Sequence, residues 1–323
     1  MPSLKEIKTR IASVQSTRKI TSAMKMVASS KLHHAQIAIQ NMLPYENLLE
    51  HILKSFLVSA PEAENEFSRE RKETKAVALV VYSSNSSLCG GYNNNVIRMM
   101  QHAIDGYKAQ GISNITIYPV GRKVAEKVKK MGYEPAGDFI ELADKPNASE
   151  CKDIAEELMK KFMNHEIDKV ELIYHHFKSA GSQVLTKRTF LPIDISTESI
   201  GAYNDRDLSS NMATAKAQEY LRRKSDKNKR EQSEAKPLND DFIVEPDLES
   251  VLTALIPKLL NLMVYTALLD SNASEHAARM VAMQAATDNA DELLKDLNLE
   301  FNKSRQAAIT NELLDIVGGS TNN

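Results

Sequence analysis

Three adjacent residues near the C-terminus, Ser274, Glu275 and His276, have the side-chain types of a hydrolytic relay of nucleophile, base and orienting group. The alanine- and methionine-rich sequence around them, residues 274–290, predicts a helix. Consecutive helical residues do not face one another, so these three side chains cannot form a relay among themselves. We therefore expect no catalysis here. His276 is predicted to be a packed or surface histidine, and Ser274 to start a helical segment or to bond to the preceding turn.

A second candidate is the glycine loop SSLCGGYN, which follows a predicted strand, as phosphate-binding loops do. It lacks both G-x-G-x-x-G and G-x-x-x-x-G-K-[ST], and it offers no lysine or magnesium-binding hydroxyl at the needed spacing. A reactive role for its thiol would need a paired histidine, and none is evident. The sequence therefore predicts a structural loop and no nucleotide cofactor. The loop residues are Leu88, Cys89, Gly90 and Gly91.

The histidines and cysteines do not indicate a metal site or a disulfide framework either. The histidines include two adjacent pairs, His33–His34 and His175–His176. Adjacent side chains do not converge on one metal in a helix, and they point to opposite faces in a strand. We predict no metal site. Two cysteines imply no disulfide framework and fit a reducing compartment. The net charge of −2 argues against a globally basic nucleic-acid binder.

The first 60 residues predict a long coiled-coil helix. No glycine or proline occurs in residues 3–43, so the helix can run about 40 residues, or about 60 Å. In the same register, Arg18, Thr21 and Lys25 interrupt the apolar seam with polar groups. The seam has the 3-4 spacing of a coiled coil and consists of Leu4, Ile7, Ile11, Val14, Ala28, Leu32, Ala35, Ile39 and Met42.

The C-terminal part, residues 247–317, predicts a second long helix, and the following glycines predict its end. Residues 258–317 contain neither glycine nor proline, which permits about 60 helical residues, or about 90 Å. The two ends differ in charge. Residues 1–45 carry seven basic residues and one acid, whereas residues 240–300 carry twelve acids and three bases. This complementarity predicts that the helices pair antiparallel and project as a rod. No apolar run approaching a membrane span is expected.

Between the two helices, residues 75–195 predict an α/β domain, because strand and helix patterns alternate. The predicted strands are KAVALVVYSS, NITIYPVG, KVELIYHHF and QVLTKRTFL, and helical patterns run to about residue 110, over 122–131 and over 149–165. Residues 61–74 form a charged linker. Residues 204–241 are polar and charged, and they predict a solvated insertion, with a regulatory or partner-binding insert as the alternative.

The basic first helix has three interpretations. Nucleic-acid binding through residues 5–31 is disfavoured, because no aromatic residues are interleaved with the basic ones. A mitochondrial targeting helix is disfavoured because the apolar seam continues too far for a removable leader. The favoured interpretation is one half of a coiled coil that also meets an acidic partner.

Three sequence blocks resemble the gamma subunit of F-type ATP synthases. They are LKEIKTRIASVQSTRKITSAMKMVASSKL at the start, SSLCGGYN in the middle, and SEHAARMVAMQAATDNA together with NKSRQAAITNELLDIVGG at the end. The resemblance covers nearly the whole chain apart from residues 204–241. It implies an antiparallel coiled coil of the terminal helices on a central Rossmann-like α/β domain. It also implies a central stalk that is not itself catalytic and that couples proton flow to the cycling of the catalytic ring.

The resemblance also implies contact residues. The polar interruptions at Arg18, Thr21 and Lys25 would put charge where the shaft meets acidic levers of the catalytic subunits. The resemblance places that contact at Met24, Lys25 and Met26. Packing in the coiled-coil core is the alternative for the two methionines. It further places Arg279 on the shaft and Gln306, Thr310 and Glu312 at the upper contact with the ring. The family's usual acidic, basic and glycine positions before Leu-Cys-Gly are Asn85, Ser86 and Ser87 here, so a charged role for that loop is not expected.

The partners implied by the resemblance are the alpha and beta subunits, the epsilon subunit and the membrane c-ring, with no cofactor and no nucleic acid. Membrane association would come through these partners, and the start of the chain favours the cytoplasmic side of a bacterial inner membrane over an organelle. The alternative from another class is a coiled-coil tether or scaffold. An enzyme that uses Gly90 and Gly91 is the third interpretation.

Overall fold

A computed structural model describes residues 3–59, 66–69, 71, 73–193, 244–245 and 247–320. The predicted insertion at 204–241 lies outside these residues, and the predicted domain bounds stay predictions. The elements in chain order are α1 (Leu4–Ser59), β1 (Ala76–Tyr82), α2 (Tyr92–Ala109), β2 (Asn114–Val120), α3 (Arg122–Lys130), α4 (Ile140–Asp144), α5 (Ala148–Met163), β3 (Lys169–Ser179), β4 (Ser182–Leu191) and α6 (Leu248–Ser320).

The central domain is built on a four-stranded sheet in the order β2-β1-β3-β4. β1 is parallel to both β2 and β3, whereas β4 is antiparallel to β3. All seven residues of β1 are buried, as expected for a central strand covered on both faces. One face packs against α2 and α3, and the other packs against α5, α6 and the end of α1. The α/β class predicted from the alternating pattern is confirmed.

The two terminal helices pair antiparallel, as predicted. The pairing shows in cross-contacts between early residues of α1 and late residues of α6, such as Arg18 with Asp291 and Thr21 with Thr287. Seam residues Ile7, Ala28 and Leu32 are buried. The structure therefore has the predicted architecture of a long coiled coil on an α/β domain.

Both helices continue through local signals that usually end a helix. α1 has 56 residues and passes through Pro44, and α6 has 73 residues, includes Pro257 and continues through the glycines to Ser320. Buried side chains hold the turns after Pro44 in the helix, because Leu49 and Leu53 belong to the core of the domain. Tertiary packing of this kind outweighs local helix-breaking propensity. The short helix α4 was not expected from the sequence.

The part of α6 from Glu249 to Leu314 is long and apolar enough to cross a membrane by length and composition. The sequence-based prediction that no apolar run approaches the length of a membrane span is wrong for this stretch, in which Lys258 interrupts the apolar residues. Half of its most apolar window is buried inside the protein. The apolar character is therefore accounted for by packing against the sheet and α5.

The segment that leads from α1 into the sheet is fixed by one buried ion pair. Arg71 donates to the carboxylate of Asp168 at 2.6 Å and to the carbonyl oxygen of Ile167 at 3.1 Å. The same carboxylate accepts the backbone N–H groups of Lys75 and Ala76 at 2.7 and 2.9 Å. Burial alone raises the pKa of Asp168, but these hydrogen bonds outweigh it and lower the pKa below its ordinary value. This contact joins the segment before β1 to the residue that precedes β3.

Candidate functional site: the exposed coil and its two junctions with the domain

The predicted contact residues on α1 lie on the part of the coil beyond the domain. Met26 is 65% exposed, so packing in the coiled-coil core is wrong for this residue. Met24 and Lys25 are half-buried. Large apolar side chains are exposed along both helices and are available to a partner. On α1 beyond the domain and on α6 these are Ile20, Met26, Val27, Val281, Leu293, Leu299, Ile309, Leu313 and Leu314.

The end of α6 extends beyond α1. Extrapolation from the contact between Arg18 and Asp291 places the start of α1 opposite about residue 305 of α6, given equal rise along both helices. The predicted upper contact residues Gln306, Thr310 and Glu312 all lie in this extension, and all are exposed. The Thr310 hydroxyl donates to the carbonyl oxygen of Gln306 at 2.9 Å within the same helix.

Two of the predicted polar interruptions are used inside the coil. Arg18 forms an ion pair with Asp291 at 2.5 Å, and both side chains are nearly half exposed. The hydroxyl groups of Thr21 and Thr287 are 2.8 Å apart, and Thr21 is buried. Thr21 is therefore turned toward α6, and the expectation that it faces a partner is wrong. Arg18 also holds α6 while it is nearly half exposed, and the partner contacts of Arg18 and Lys25 stay predictions.

The middle of α6 is joined to the end of β3 by a buried carboxylate. Asp270 accepts the backbone N–H of Phe177 at 2.8 Å, and its other oxygen lies 2.5 Å from Nδ1 of His176. Asp270 is 4% exposed. A buried carboxylate with charge-assisted partners fixes geometry closely, because it is costly to leave unpaired. We call the contacts of α6 with the strand ends and the glycine loop the upper junction.

Two further hydrogen bonds of the upper junction join α6 to α2 and to β3. The Tyr92 hydroxyl donates to the carbonyl oxygen of Ser271 at 3.0 Å. Ser274 donates to the carbonyl oxygen of His175 at 3.0 Å, so it bonds to β3, and the predictions that it starts a helix or bonds to the preceding turn are wrong. The His175 ring stacks on Tyr92, and burial lowers the pKa of His175 to about 4. The neutral ring therefore packs as part of the junction.

The other two members of the Ser-Glu-His trio point in different directions, so no relay exists. Glu275 is buried and accepts from the guanidinium of Arg279 one helical turn away. His276 is half-buried, and desolvation lowers its pKa despite the opposing effect of Glu275. The prediction of a packed or surface histidine is confirmed for His276.

Arg279 connects α6 to the glycine loop. Its guanidinium donates to the carbonyl oxygen of Ser87 at 2.5 Å. The loop turns at Leu88 and Gly90, which have φ angles of 67° and 59°. A Cβ at Gly90 would lie 4.0 Å from Cβ of Ala282, so the loop packs directly on α6. The guanidinium predicted to lie on the shaft thus also anchors the loop to it.

The loop is fixed to the domain by amide side chains. Asn85 donates to the carbonyl oxygen of Ile140 and to Asp144, each at 2.7 Å, and accepts the N–H of Arg122 at 2.8 Å. Asn93 holds the loop from inside by accepting the N–H of Ser84 at 3.0 Å. An amide both donates and accepts here, which a carboxylate cannot do. The departure from the family pattern at Asn85 therefore has a structural explanation.

A second junction joins both helices of the coil to the edge strand β4. Arg188 donates to Glu46 at 2.6 Å and to Glu50 at 2.9 Å, and Glu50 also pairs with Lys54 at 2.9 Å. Glu46 additionally accepts from the hydroxyl of Thr266 on α6. Glu46 is 1% exposed. Burial by itself lowers the pKa of Arg188, but the neighbouring carboxylates outweigh it and raise the pKa. We call this four-charge group with Thr266 the lower junction.

Sequence reasoning missed both junctions. The available signal was a polar run within an otherwise apolar helix, since buried polar residues are rare unless paired. Among the described residues, no group of three or more His, Cys, Asp or Glu side chains is placed to hold a metal ion. The buried polar groups of α6 are Thr266, Asp270, Ser271, Asn272, Ser274 and Glu275.

The fold and these junctions define a class of protein: a long two-helix coil that is joined to an α/β domain by buried polar contacts and has an exposed end. A family model described as ATP synthase matches residues 3–322. The chain is 53% identical to the ATP synthase gamma chain of Phocaeicola vulgatus and 50% identical to that of Bacteroides thetaiotaomicron, in each case over 99% of both chains.

Solved structures share the fold. One chain of the central stalk and c-ring of the Tetrahymena thermophila mitochondrial ATP synthase is 25% identical, with a TM-score of 0.52 over 83% of this chain and 99% of that one. A chain of the Euglena gracilis mitochondrial ATP synthase is 18% identical, with a TM-score of 0.58 over 98% and 93%. The chain therefore belongs to the gamma-chain family of the ATP synthases, the central-stalk subunit of that enzyme complex.

Proposed function

We propose that the chain is a non-catalytic rotor that transmits torque between a proton-driven membrane ring and the catalytic ring of alpha and beta subunits. The observation that carries this proposal is the arrangement of the coil. Its far end is exposed and carries large apolar side chains among polar ones, whereas its near end is fixed to the domain by buried polar contacts. A shaft needs both properties, because its far end must turn within a partner while its near end must not turn relative to the domain.

The exposed end of α6 supports a surrounding partner. Beyond about residue 305 the helix has no α1 opposite it, and isolated helices of about 15 residues are marginal in water. Ile309, Leu313 and Leu314 are between 50% and 63% exposed there. A ring that encloses this segment would bury these side chains and stabilise the helix.

The contact residues follow from this placement. We propose that Met24, Lys25 and Met26 face the acidic levers of the catalytic subunits, and that Gln306, Thr310 and Glu312 meet the top of the ring. Met26 is exposed beside the half-buried Lys25, so an apolar side chain and a cation are available on the same stretch of surface. Methionine suits a moving contact because it is flexible and polarizable. Arg279 is proposed as a shaft residue that acts through its hold on the glycine loop.

The finer features of assembly and location belong to the same proposal. The α/β domain would contact the epsilon subunit and the membrane c-ring, and the chain would be a peripheral component on the cytoplasmic side of a bacterial inner membrane. No step of ATP chemistry is assigned to the chain. Its glycine loop is held by Asn85, Asn93 and Arg279 and offers no lysine to a phosphate.

Rotation of a label tests the proposal. The exposed Lys129 on α3 would be replaced by cysteine and coupled to a visible bead, in a complex whose catalytic ring is fixed to a surface. Native Cys89 and Cys151 are buried and would not compete. We expect the bead to turn in one direction with ATP and not with ADP. ATP hydrolysis by complexes with a verified bead that stays still would refute the rotor. Calorimetry on the isolated chain should show no submillimolar ATP affinity.

A further inference from the structure

The lower junction has a charge pattern that is unusual for a protein interior. Two cations, Arg188 and Lys54, are matched by two carboxylates, Glu46 and Glu50, and all four side chains are at most 14% exposed. The group joins three elements, because Glu46 lies on α1, Arg188 on β4 and Thr266 on α6. A single buried carboxylate thus holds both helices of the coil to the domain.

Such a group is a poor way to gain stability. Removing four charged groups from water costs about as much as their mutual attraction returns, and apolar side chains of similar volume often serve as well or better. The group does, however, restrict the geometry of the attachment. The planar guanidinium of Arg188 reaches two carboxylates with separate nitrogen atoms, which restricts both the rotation and the axial position of α1 against β4.

We infer that the lower junction is a positioning device: it fixes the angle at which the coil leaves the domain and so contributes to coupling, not to the stability of the fold. This inference rests on the proposed rotor function. Glu46 is its centre, because it is the residue that contacts Arg188 and Thr266 together. Without these charges the remaining contacts between α1 and β4 would be less directional, so the angle at which α1 leaves the domain would be fixed less closely.

The test compares an apolar junction with the native one in the complete membrane-bound complex. The junction variant carries Glu46→Leu, Glu50→Leu, Lys54→Met and Arg188→Met. We expect its unfolding temperature to equal or exceed that of the unaltered chain. We expect fewer protons to be pumped per ATP hydrolysed. We also expect a broader distribution of distances between spin labels at Lys19→Cys on the coil and Lys129→Cys on the domain.

The matched control removes a largely buried ion pair whose hydrogen bonds go to the α5–β3 connection and the start of β1, and not to either helix of the coil. Arg71→Met with Asp168→Leu deletes a pair whose side chains are 16% and 12% exposed, close to those of the junction. We expect this control to lose stability, because Asp168 also accepts the backbone N–H groups of Lys75 and Ala76 and leucine would leave both unpaired. It should keep the unaltered ratio of protons to ATP and the narrow distance distribution, when both are measured below its unfolding temperature. The junction variant should therefore change the pumping ratio and the distance distribution, and the control should change the stability.

Several results would overturn the inference. A junction variant with an unaltered pumping ratio and a narrow distance distribution would show that the charges do not position the coil. A junction variant that loses stability as the control does would show an ordinary structural role. If it fails to assemble, Arg188→Lys decides: it keeps the charge and loses the two-nitrogen fork, so a broadened distribution supports the inference and a narrow one refutes it. Failure of the rotor proposal is distinguishable, because the bead on the unaltered complex would then not turn.

Discussion

Replacement of Asp270 by alanine should be the most damaging single change at the upper junction. The substitution removes the acceptor of the Phe177 N–H at 2.8 Å and the partner of His176 at 2.5 Å. Hydrogen bonds to charged groups contribute about 1.5–3 kcal/mol each, and breaking a buried pair costs about 3–5 kcal/mol. Because Asp270 is 4% exposed, water cannot restore the lost contacts. We expect the free energy of unfolding to fall by about 3–5 kcal/mol.

The measurement is urea unfolding followed by circular dichroism, since the chain has no tryptophan to report by fluorescence. Hydrogen exchange at the Phe177 amide, which should accelerate, locates the effect. The matched control is Asp291→Ala, which removes an ion pair with Arg18 that is nearly half exposed and so contributes about 0–1 kcal/mol. Asp270→Asn keeps an oxygen acceptor and should fall between the two. Equal losses for the two alanine variants would refute the argument from burial.

Three other changes have expected outcomes. Gly121→Ala should lose more than about 2 kcal/mol of stability in thermal unfolding, because φ is 102° and the new Cβ would lie 2.3 Å from a backbone oxygen; Gly106→Ala, in open space on α2, should gain about 0.5–1 kcal/mol. Asp168 has a lowered pKa, so its stabilisation is complete above its ordinary value of 3.8 and is lost as the pH falls through the folded value; acid unfolding should be shallower in Asp168→Asn, and an unchanged profile would contradict this. Lys25→Ala should reduce ATP hydrolysis by the assembled complex less than about fivefold, and a complete loss would show a larger role.

The architecture could be predicted because it follows from regular patterns. A 3-4 spacing of apolar residues specifies one face of a helix, and alternating strand and helix patterns specify the sheet. Seam residues Ile7, Ala28 and Leu32 are buried as that spacing requires. The ends of the helices were harder to predict. Pro44 and the final glycines are local signals, whereas the packing of Leu49 and Leu53 against the domain is a long-range effect.

The junctions could not be predicted, because their partners are distant in the sequence and carry no period. Arg188 lies 142 residues from Glu46, and Asp270 lies 94 residues from His176. Single-sequence reasoning identified Arg18 and Thr21 as polar interruptions but could not distinguish an intramolecular partner from an external one. The resemblance supplied residues such as Met24 and Lys25, and it could not show which polar groups the chain uses internally.

The composition of α6 changes along its length because its surroundings change. From Leu252 to Leu268 it is apolar and packs in the domain core, and from Asp270 to Arg279 it carries the buried polar groups that fix it to the sheet and loop. Next come the buried seam residues Met283, Ala290, Leu294 and Leu297, and after about residue 305 exposed apolar side chains alternate with exposed polar ones. One continuous helix therefore combines a base that is held by directional polar contacts with an end that leaves both apolar and polar side chains exposed. The directional contacts restrict rotation of the coil against the domain, and the end beyond α1 is available to the ring that we propose surrounds it.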